Sequence, residues 1–85
     1  MYRIRFSKQA DRAMRRMPSG VSARIREKLM QIAKDPYGSH ANVTKLEGRS
    51  GYHMRVGSWR VLYETENEQL IILVLRIATR GEVYR

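Results

Sequence analysis

The stretch that decides the fold is KLEGRSGYHMRVGSWRVLY, residues 45–63. Inside it, two runs with strand composition, residues 52–56 and 59–63, flank the dipeptide Gly57-Ser58. A two-residue loop that begins with glycine suits a type II′ turn, because glycine tolerates a positive φ at the first turn position. The stretch therefore predicts a β-hairpin that is closed at this dipeptide.

The two-residue turn also fixes which residues face each other across the hairpin. The predicted pairs are Val56 with Trp59, Arg55 with Arg60, Met54 with Val61, His53 with Leu62 and Tyr52 with Tyr63. Because side chains alternate between faces, one face is apolar and the other carries His53, Arg55 and Arg60. Two facing arginines repel each other by roughly 0.2 to 1 kcal/mol. This face is therefore predicted either to bind an anion or to be simply solvated.

The charge of the chain points to an anionic partner. Its 85 residues suffice for one small domain, predicted to span residues 1–85. Seventeen Lys and Arg against eight Asp and Glu give a formal net charge of +9, which attracts phosphate backbones or acidic proteins. Arginine dominates over lysine, and its planar fork suits bidentate phosphate contacts, which favours nucleic acid over a membrane surface.

What the sequence lacks excludes several classes of protein. There is no cysteine and there are two histidines, so neither a disulfide framework nor a protein-built metal site is expected. No apolar stretch approaches the roughly 20 residues of a membrane span, and the N-terminus lacks the apolar run of a signal peptide. We therefore expect a cytoplasmic protein that uses no metal, no small-molecule cofactor and no membrane.

The segments before the hairpin predict one strand and two helices. Residues 2–6 alternate apolar and basic side chains, which is typical of a half-buried strand. A short amphipathic helix is expected to follow Ser7 as its N-cap and to end at Pro18 and Gly20. Apolar residues at helical spacing predict a second helix over residues 21–34.

The segments around the hairpin complete the predicted fold. Residues 37–44 are expected to form a polar loop, and residues 66–69 a polar turn. Residues 70–77 are apolar on both sides, as in a strand in the middle of a sheet. The predicted fold is therefore α+β in the order β-α-α-β-β-β, with a two-helix hairpin packed on a mostly antiparallel four-stranded sheet.

The basic side of the hairpin has side chains suited to RNA cleavage without a metal. This reaction removes a proton from the 2′-OH, gives one to the leaving 5′-oxygen and stabilises charge on phosphorus. His53, with an unperturbed pKa of about 6.5, suits the proton transfer. Arg55, Arg60 and Arg80 can clamp a phosphate, and Tyr84 can stack on a base. From the residues alone, nucleic-acid binding ranks above catalysis.

Four segments together resemble the RelE/ParE superfamily of toxins from type II toxin–antitoxin systems: KLEG at 45–48, YHMRVGSWRVLY at 52–63, ILVLRIATR at 72–80 and EVY at 82–84. The resemblance covers essentially the whole chain and implies the RelE-like microbial ribonuclease fold. Its RelE-like branch implies a metal-independent endoribonuclease that cleaves mRNA on the ribosome. Its ParE-like branch implies inhibition of DNA gyrase. A catalytically inactive relative that only binds RNA or its antitoxin is a third alternative.

The resemblance also implies roles for individual residues. Its two basic positions on the first hairpin arm fall on His53 and Arg55, its next arginine on Arg60, its late arginine on Arg80 and its tyrosine on Tyr84. Known enzymes of this kind have lysines where this chain has His53 and Arg55. Because arginine is a poor base, either His53 takes that role or the base is an unusual one. The resemblance implies that Arg60 holds the phosphate and that Arg80 acts as acid or stabilises the transition state.

The remaining expectations concern RNA contacts and partners. Four further basic residues are candidates for RNA binding: Lys45, Arg49, Arg76 and Arg85. The resemblance implies an acidic cognate antitoxin that covers the basic face, together with the ribosome and mRNA as partners. The net charge of +9 fits an acidic antitoxin independently of the resemblance.

Overall fold

The computed structural model describes residues 1–79, which form two helices and a five-stranded sheet. The elements are β1 (Arg3–Phe6), α1 (Lys8–Arg16), α2 (Ser19–Lys34), β2 (Val43–Lys45), β3 (Tyr52–Val56), β4 (Trp59–Glu66) and β5 (Ile71–Thr79). The strands lie in the order β1-β5-β4-β3-β2; β1 is parallel to β5, and the other neighbours are antiparallel. The predicted α+β class is therefore confirmed. No helix within residues 1–79 is long and apolar enough to cross a membrane.

The sheet has one strand more than the sequence predicted, so the expectation of four strands is wrong. The additional strand, β2, lies mostly in the segment expected to be a polar loop, and it pairs with β3 so that Val43 is opposite Met54. Val43 also packs against the main core. This single apolar contact and the available edge of β3 order a segment that is otherwise polar. One apolar residue is too little to produce a periodic pattern, which is why the strand was not predicted.

The hairpin forms in the predicted register, and all five expected cross-strand pairs are present. Gly57 has a φ of 59°. Among the described residues other than glycine, only Asn42 and Leu70 have a positive φ, so the φ of Ser58 is negative. A positive φ followed by a negative φ is the signature of the predicted type II′ turn.

The two helices are separated by only Met17 and Pro18. As predicted, α1 begins after Ser7, whose Oγ accepts a hydrogen bond of 3.0 Å from a backbone N–H in the first turn. The second helix begins at Ser19, before the predicted start, so Gly20 lies in its first turn and does not end α1. Proline is tolerated at this junction because the first N–H groups of a helix have no acceptor within the helix.

The last strand, β5, begins one residue later than predicted and continues two residues further. Leu70, expected to begin it, lies instead in the preceding turn with a φ of 56°, and it is 49% exposed. As expected for a strand that is apolar on both sides, β5 lies in the interior of the sheet between β1 and β4.

Both helices pack on one face of the sheet. The main core lies between the helices and the sheet. It comprises Ala10, Met14, Met17, Ile25, Leu29, Ile32, Ala33, Met54, Val56, Val61, Tyr63, Ile72, Val74 and Ile77. We call the opposite face of the sheet the outer face. It carries a small second apolar cluster of Leu62 and Ala78, against which Leu46 packs. The alternation of the strands therefore directs the polar residues of β3 and β4 away from the helices.

Candidate functional site

Four of the predicted site residues lie together on the outer face. Arg55 of β3 is opposite Arg60 of β4 in one row across the sheet. In the next row, His53 is opposite Leu62, which is itself opposite Arg76 of β5. Because neighbouring strands are about 4.8 Å apart, the backbones at the two ends of this row are separated by about 10 Å. A single phosphodiester group is thus within reach of several of these side chains.

The cationic side chains of this face differ in exposure. Arg60 is partly buried, and its Nε atom is inaccessible to solvent. Arg55 and Arg76 are exposed. A partly buried guanidinium loses less conformational freedom when it binds a ligand than an exposed one does. Arg60 is therefore suited to fix the position of an anion that its exposed neighbours then surround.

The electrostatic environment of His53 keeps its imidazole neutral. Partial burial lowers the pKa of His53 below the usual 6.5, and the positive charges of Arg60 and Arg55 lower it further. At pH 7 the ring is neutral, and one ring nitrogen carries a lone pair that accepts a proton. A phosphate bound between the arginines offsets their charge, so it favours the protonated ring once the proton has been transferred.

Five predicted site residues lie elsewhere or outside the described part of the chain. Lys45 is opposite Tyr52, so its side chain lies on the helix side of the sheet and not on the outer face. Arg49 is exposed in the loop between β2 and β3. The predictions that fall outside the described residues are those for Arg80, Tyr84 and Arg85.

Two basic residues of the outer face were not singled out from the sequence. Pairing of β1 with β5 puts Arg3 opposite Ile71 and Arg5 opposite Leu73. These positions alternate with the core residues of β5, so both arginines lie on the outer face, and both are exposed. The alternation within β1 shows that they share a side. Only the pairing with β5 identifies that side as the outer face.

Side chains from the start of α1 complete the edge of β5 where β1 has ended. Ser7 donates its backbone N–H to the Val74 carbonyl at 2.9 Å and its side-chain hydroxyl to the Leu75 carbonyl at 2.8 Å. Gln9 donates through Nε2 to the Ile77 carbonyl at 2.7 Å and accepts at Oε1 from the Ile77 N–H at 2.9 Å. The amide of Gln9 thus takes the place of a strand residue and holds the end of β5 beside Arg60.

The outer face offers a neutral proton acceptor, a partly buried cation and several exposed cations. Within residues 1–79, no group of three or more side chains is arranged to hold a metal ion. This set of groups can bind a phosphodiester, orient it and remove a proton from a neighbouring hydroxyl.

Comparison with known proteins places the chain in a family. Residues 4–84 match the model of the ParE toxin of type II toxin–antitoxin systems, parDE. No curated protein sequence gives a significant match. The isolated RelE toxin of E. coli is 26% identical, with a TM-score of 0.81 over 99% of this chain and 92% of that chain. A chain of the archaeal RelE–RelB complex from Pyrococcus horikoshii OT3 is 28% identical, with a TM-score of 0.80 over 96% of this chain and 98% of that chain.

A third solved structure shows the fold alone. A chain of the intact E. coli RelBE toxin–antitoxin complex is 24% identical, with a TM-score of 0.80 over 93% of this chain and 96% of that chain. The family model covers almost the entire sequence, and the structural likeness extends over both helices and the sheet. The chain therefore belongs to the ParE toxin family of type II toxin–antitoxin systems and is a RelE-like member of the RelE/ParE superfamily.

Proposed function

We propose that this toxin is a ribosome-dependent mRNA endoribonuclease that inhibits translation in the cytoplasm. One observation carries the proposal: His53 lies beside the facing pair Arg55 and Arg60 on the face of the sheet that the helices leave uncovered, and burial together with these two charges lowers its pKa. Facing arginines are unfavourable in an isolated protein and favourable around a phosphate. The likeness to the isolated E. coli RelE toxin also supports it.

In the proposed reaction, His53 accepts the proton of the 2′-OH beside the scissile phosphate. The 2′-oxygen forms a bond to phosphorus as the bond from phosphorus to the 5′-oxygen breaks, which leaves a 2′,3′-cyclic phosphate and a 5′-hydroxyl. Arg55 and Arg60 stabilise the charge on the non-bridging oxygens. Arg80 donates the proton that makes the leaving oxygen a hydroxyl, or it stabilises the negative charge of that oxygen until water supplies the proton. Tyr84 stacks on a neighbouring base.

The same proposal includes two kinds of partner. Three basic residues contact the RNA backbone: Arg49, Arg76 and Arg85. Lys45 is not among them, because its side chain lies on the helix side of the sheet. Among them, Arg76 has the strongest support, because its register position lies in the same row as His53. An acidic antitoxin neutralises the toxin by covering the outer face. The net charge of +9 and the structural likeness to chains of RelE–RelB complexes support this partner.

A second candidate function is inhibition of DNA gyrase. The observation that favours it is the family model itself, which describes ParE toxins. In this alternative, the arginines of the outer face bind an acidic or nucleic-acid surface of the target, and no RNA is cleaved. Expression then induces the DNA-damage response and trapped double-strand breaks, while mRNA stays whole.

The two functions are separated by mapping new mRNA 5′ ends after the toxin is induced without antitoxin. The comparison uses a translated message and the same message without its start codon. Cuts within codons of the translated message only support the ribosome-dependent nuclease. Cuts in both messages indicate a free ribonuclease, and growth arrest without cuts indicates gyrase. Absence of growth arrest indicates a relative that only binds RNA or antitoxin.

Variants then test the assignment of the site. We expect His53→Ala and Arg60→Ala each to lower the cleavage rate by about 10² to 10⁴, the usual contribution of a positioned acid, base or charge. The matched control is Arg24→Ala, which removes an exposed arginine from α2 and leaves the outer face intact. Circular dichroism verifies that each variant is folded. If His53→Ala and Arg80→Ala both remain fully toxic, the site assignment is wrong.

A further inference from the structure

The outer face extends beyond the candidate site to the edge strand β1. Arg3 and Arg5 lie on it, opposite Ile71 and Leu73 of β5. Neither residue belongs to the predicted site, and both are exposed. Arg76 lies between them and the site, since it belongs to β5 and faces the same side. The arginines therefore form an oblique line that crosses the sheet from β3 to β1.

The spacing of the arginines along this oblique line follows from sheet geometry. Arg76 is one strand and two residues from Arg60, which separates their backbones by about 8 Å. Arg5 is one strand and three residues from Arg76, which corresponds to about 11 Å. Arg3 and Arg5 are two residues apart on one strand, or about 7 Å. Each guanidinium is on a long flexible side chain, so the gaps are short enough for successive cations to contact one extended strand.

Ion pairing within residues 1–79 does not explain these two arginines. Within residues 1–79, the only side-chain ion pair joins Arg15 and Asp11. Two carboxylates stand on the same face, each two strands away on β4: Glu64 in the row of Arg5 and Glu66 in the row of Arg3. Glu64 accepts a hydrogen bond from Ser50 Oγ at 3.0 Å, and Glu66 accepts one from the Glu68 N–H at 3.1 Å. Among the described residues, neither Arg3 nor Arg5 therefore forms an ion pair.

Protection of the sheet edge does not explain the sign of the charge. Charged side chains on an edge strand prevent it from pairing with another chain, and a carboxylate does this as well as a cation. In a chain with a net charge of +9, each additional arginine near Arg76 adds repulsion. Arginine at both positions is therefore better explained by an anionic ligand than by protection of the edge.

We propose that Arg3 and Arg5, together with Arg76, form a track that binds the backbone of single-stranded RNA outside the nucleotides that are cleaved. This inference rests on the proposed function, because the track continues the phosphate site of Arg55 and Arg60. The surface between the arginines is partly apolar, with Leu73 on the same face, so bases can lie against it. An acidic protein segment is the alternative ligand.

The test measures the affinity of the full chain for 2′-O-methyl RNA, which lacks the attacking hydroxyl. Two oligonucleotides are compared, one of three and one of twelve nucleotides, at several salt concentrations between 0.05 and 0.2 M. Each phosphate contact of a single strand contributes about 0.7 to the slope of log affinity against log salt. The double variant Arg3→Gln/Arg5→Gln should therefore lose about 1.4 from this slope with the longer RNA. When the salt is raised from 0.05 to 0.2 M, the affinity of the double variant for the longer RNA should therefore fall by a factor about sevenfold smaller than that of the unaltered protein.

The short RNA and a charge-matched variant are the controls. The three-nucleotide RNA should bind the double variant and the unaltered protein with equal affinity, because it is too short to extend from the candidate site to Arg3 and Arg5. The variant Arg24→Gln/Lys34→Gln removes the same charge from exposed positions of α2, and it should keep the full slope. Equal slopes for the double variant and the unaltered protein with the longer RNA overturn the track.

Three further outcomes separate this proposal from its alternative ligand and from the proposed nuclease. If the double variant keeps its RNA slope and instead loses affinity for an acidic peptide, Arg3 and Arg5 bind protein and the track is refuted. The mapping of mRNA 5′ ends tests the nuclease independently of the slope. Cuts by the unaltered toxin together with equal slopes mean that the nuclease stands and the track fails. Loss of slope together with uncut mRNA means that the track stands and the nuclease fails.

Discussion

The two hydrogen bonds between Gln9 and Ile77 predict a measurable loss of stability for Gln9→Ala. The bonds are 2.7 and 2.9 Å long and partly buried, and they replace the pairing that β5 loses where β1 ends. An intramolecular hydrogen bond contributes about 0.5 to 1.5 kcal/mol, so two contribute about 1 to 3 kcal/mol. Water reaches part of this edge after truncation, which favours the lower half of that range. We expect a loss of about 1.5 kcal/mol, which lowers Tm by about 6 to 12 °C for a domain of this size.

The variant Gln9→Glu separates the two bonds. Its carboxylate still accepts from the Ile77 N–H, but it no longer donates to the Ile77 carbonyl and instead places a negative charge against that oxygen. Protonation restores a donor, and a free glutamate has a pKa of about 4.3. We therefore expect Gln9→Glu to be strongly destabilised at pH 7 and closer to the unaltered protein near pH 4. Urea unfolding of all three proteins at both pH values measures this difference.

Lys8→Ala is the control, because Lys8 is the exposed neighbour of Gln9 in α1 and makes no described hydrogen bond to β5. Hydrogen exchange provides a local measurement: the Ile77 amide should exchange faster in Gln9→Ala than in the control. A loss below about 0.5 kcal/mol for Gln9→Ala, or equal losses for the Ala and Glu variants at both pH values, would refute the idea that the amide stands in for a strand residue.

Three other substitutions test the site, the turn and the core. The pKa of His53 in the folded protein is below 6.5, so the unfolded chain binds more protons than the folded one between the two pKa values. The free energy of unfolding should therefore fall as the pH drops from 7.5 through 6.5. Urea titrations of His53→Gln should lack that fall. Gly57→Ala puts a Cβ at a φ of 59° and should cost about 1 to 2 kcal/mol, whereas Ser58→Ala should have little effect on Tm. Leu29→Ala should cost about 2 to 5 kcal/mol in urea unfolding, whereas truncation of the 44% exposed Met30 should be nearly neutral.

The hairpin was predictable because all of its information is local. The glycine at position 57 fixes the turn, and the turn fixes the register of residues that are only a few positions apart. Alternation then assigns each side chain to a face without reference to the rest of the chain. For this reason the positions of His53, Arg55 and Arg60 on one side of the hairpin follow directly from the sequence.

The parts that were not predictable depend on pairing between distant residues. β1 and β5 are separated by more than 60 residues, and only their parallel pairing assigns Arg3 and Arg5 to the outer face. The same holds for Lys45, whose side chain lies on the helix side because β2 pairs with β3 in one particular register. A shift of one residue in either pairing would exchange the two faces. In β1 the apolar residues Ile4 and Phe6 indicate which side is buried, but they do not identify β5 as the neighbouring strand. In β2 the single apolar residue Val43 is too little to specify the register.

The environment of His53 accounts for a division of roles at the proposed active site. A lysine has an unperturbed pKa of about 10.4, so it becomes a neutral base at pH 7 only after a shift of several units. Histidine needs almost no shift, and here burial, Arg60 and Arg55 all lower its pKa in the required direction. Arginine meanwhile supplies a positive charge for the phosphate before the reaction begins, because a guanidinium is protonated at neutral pH. A site that combines histidine with arginine therefore obtains both a neutral base and permanent cations, whereas a lysine that serves as the base gives up its positive charge.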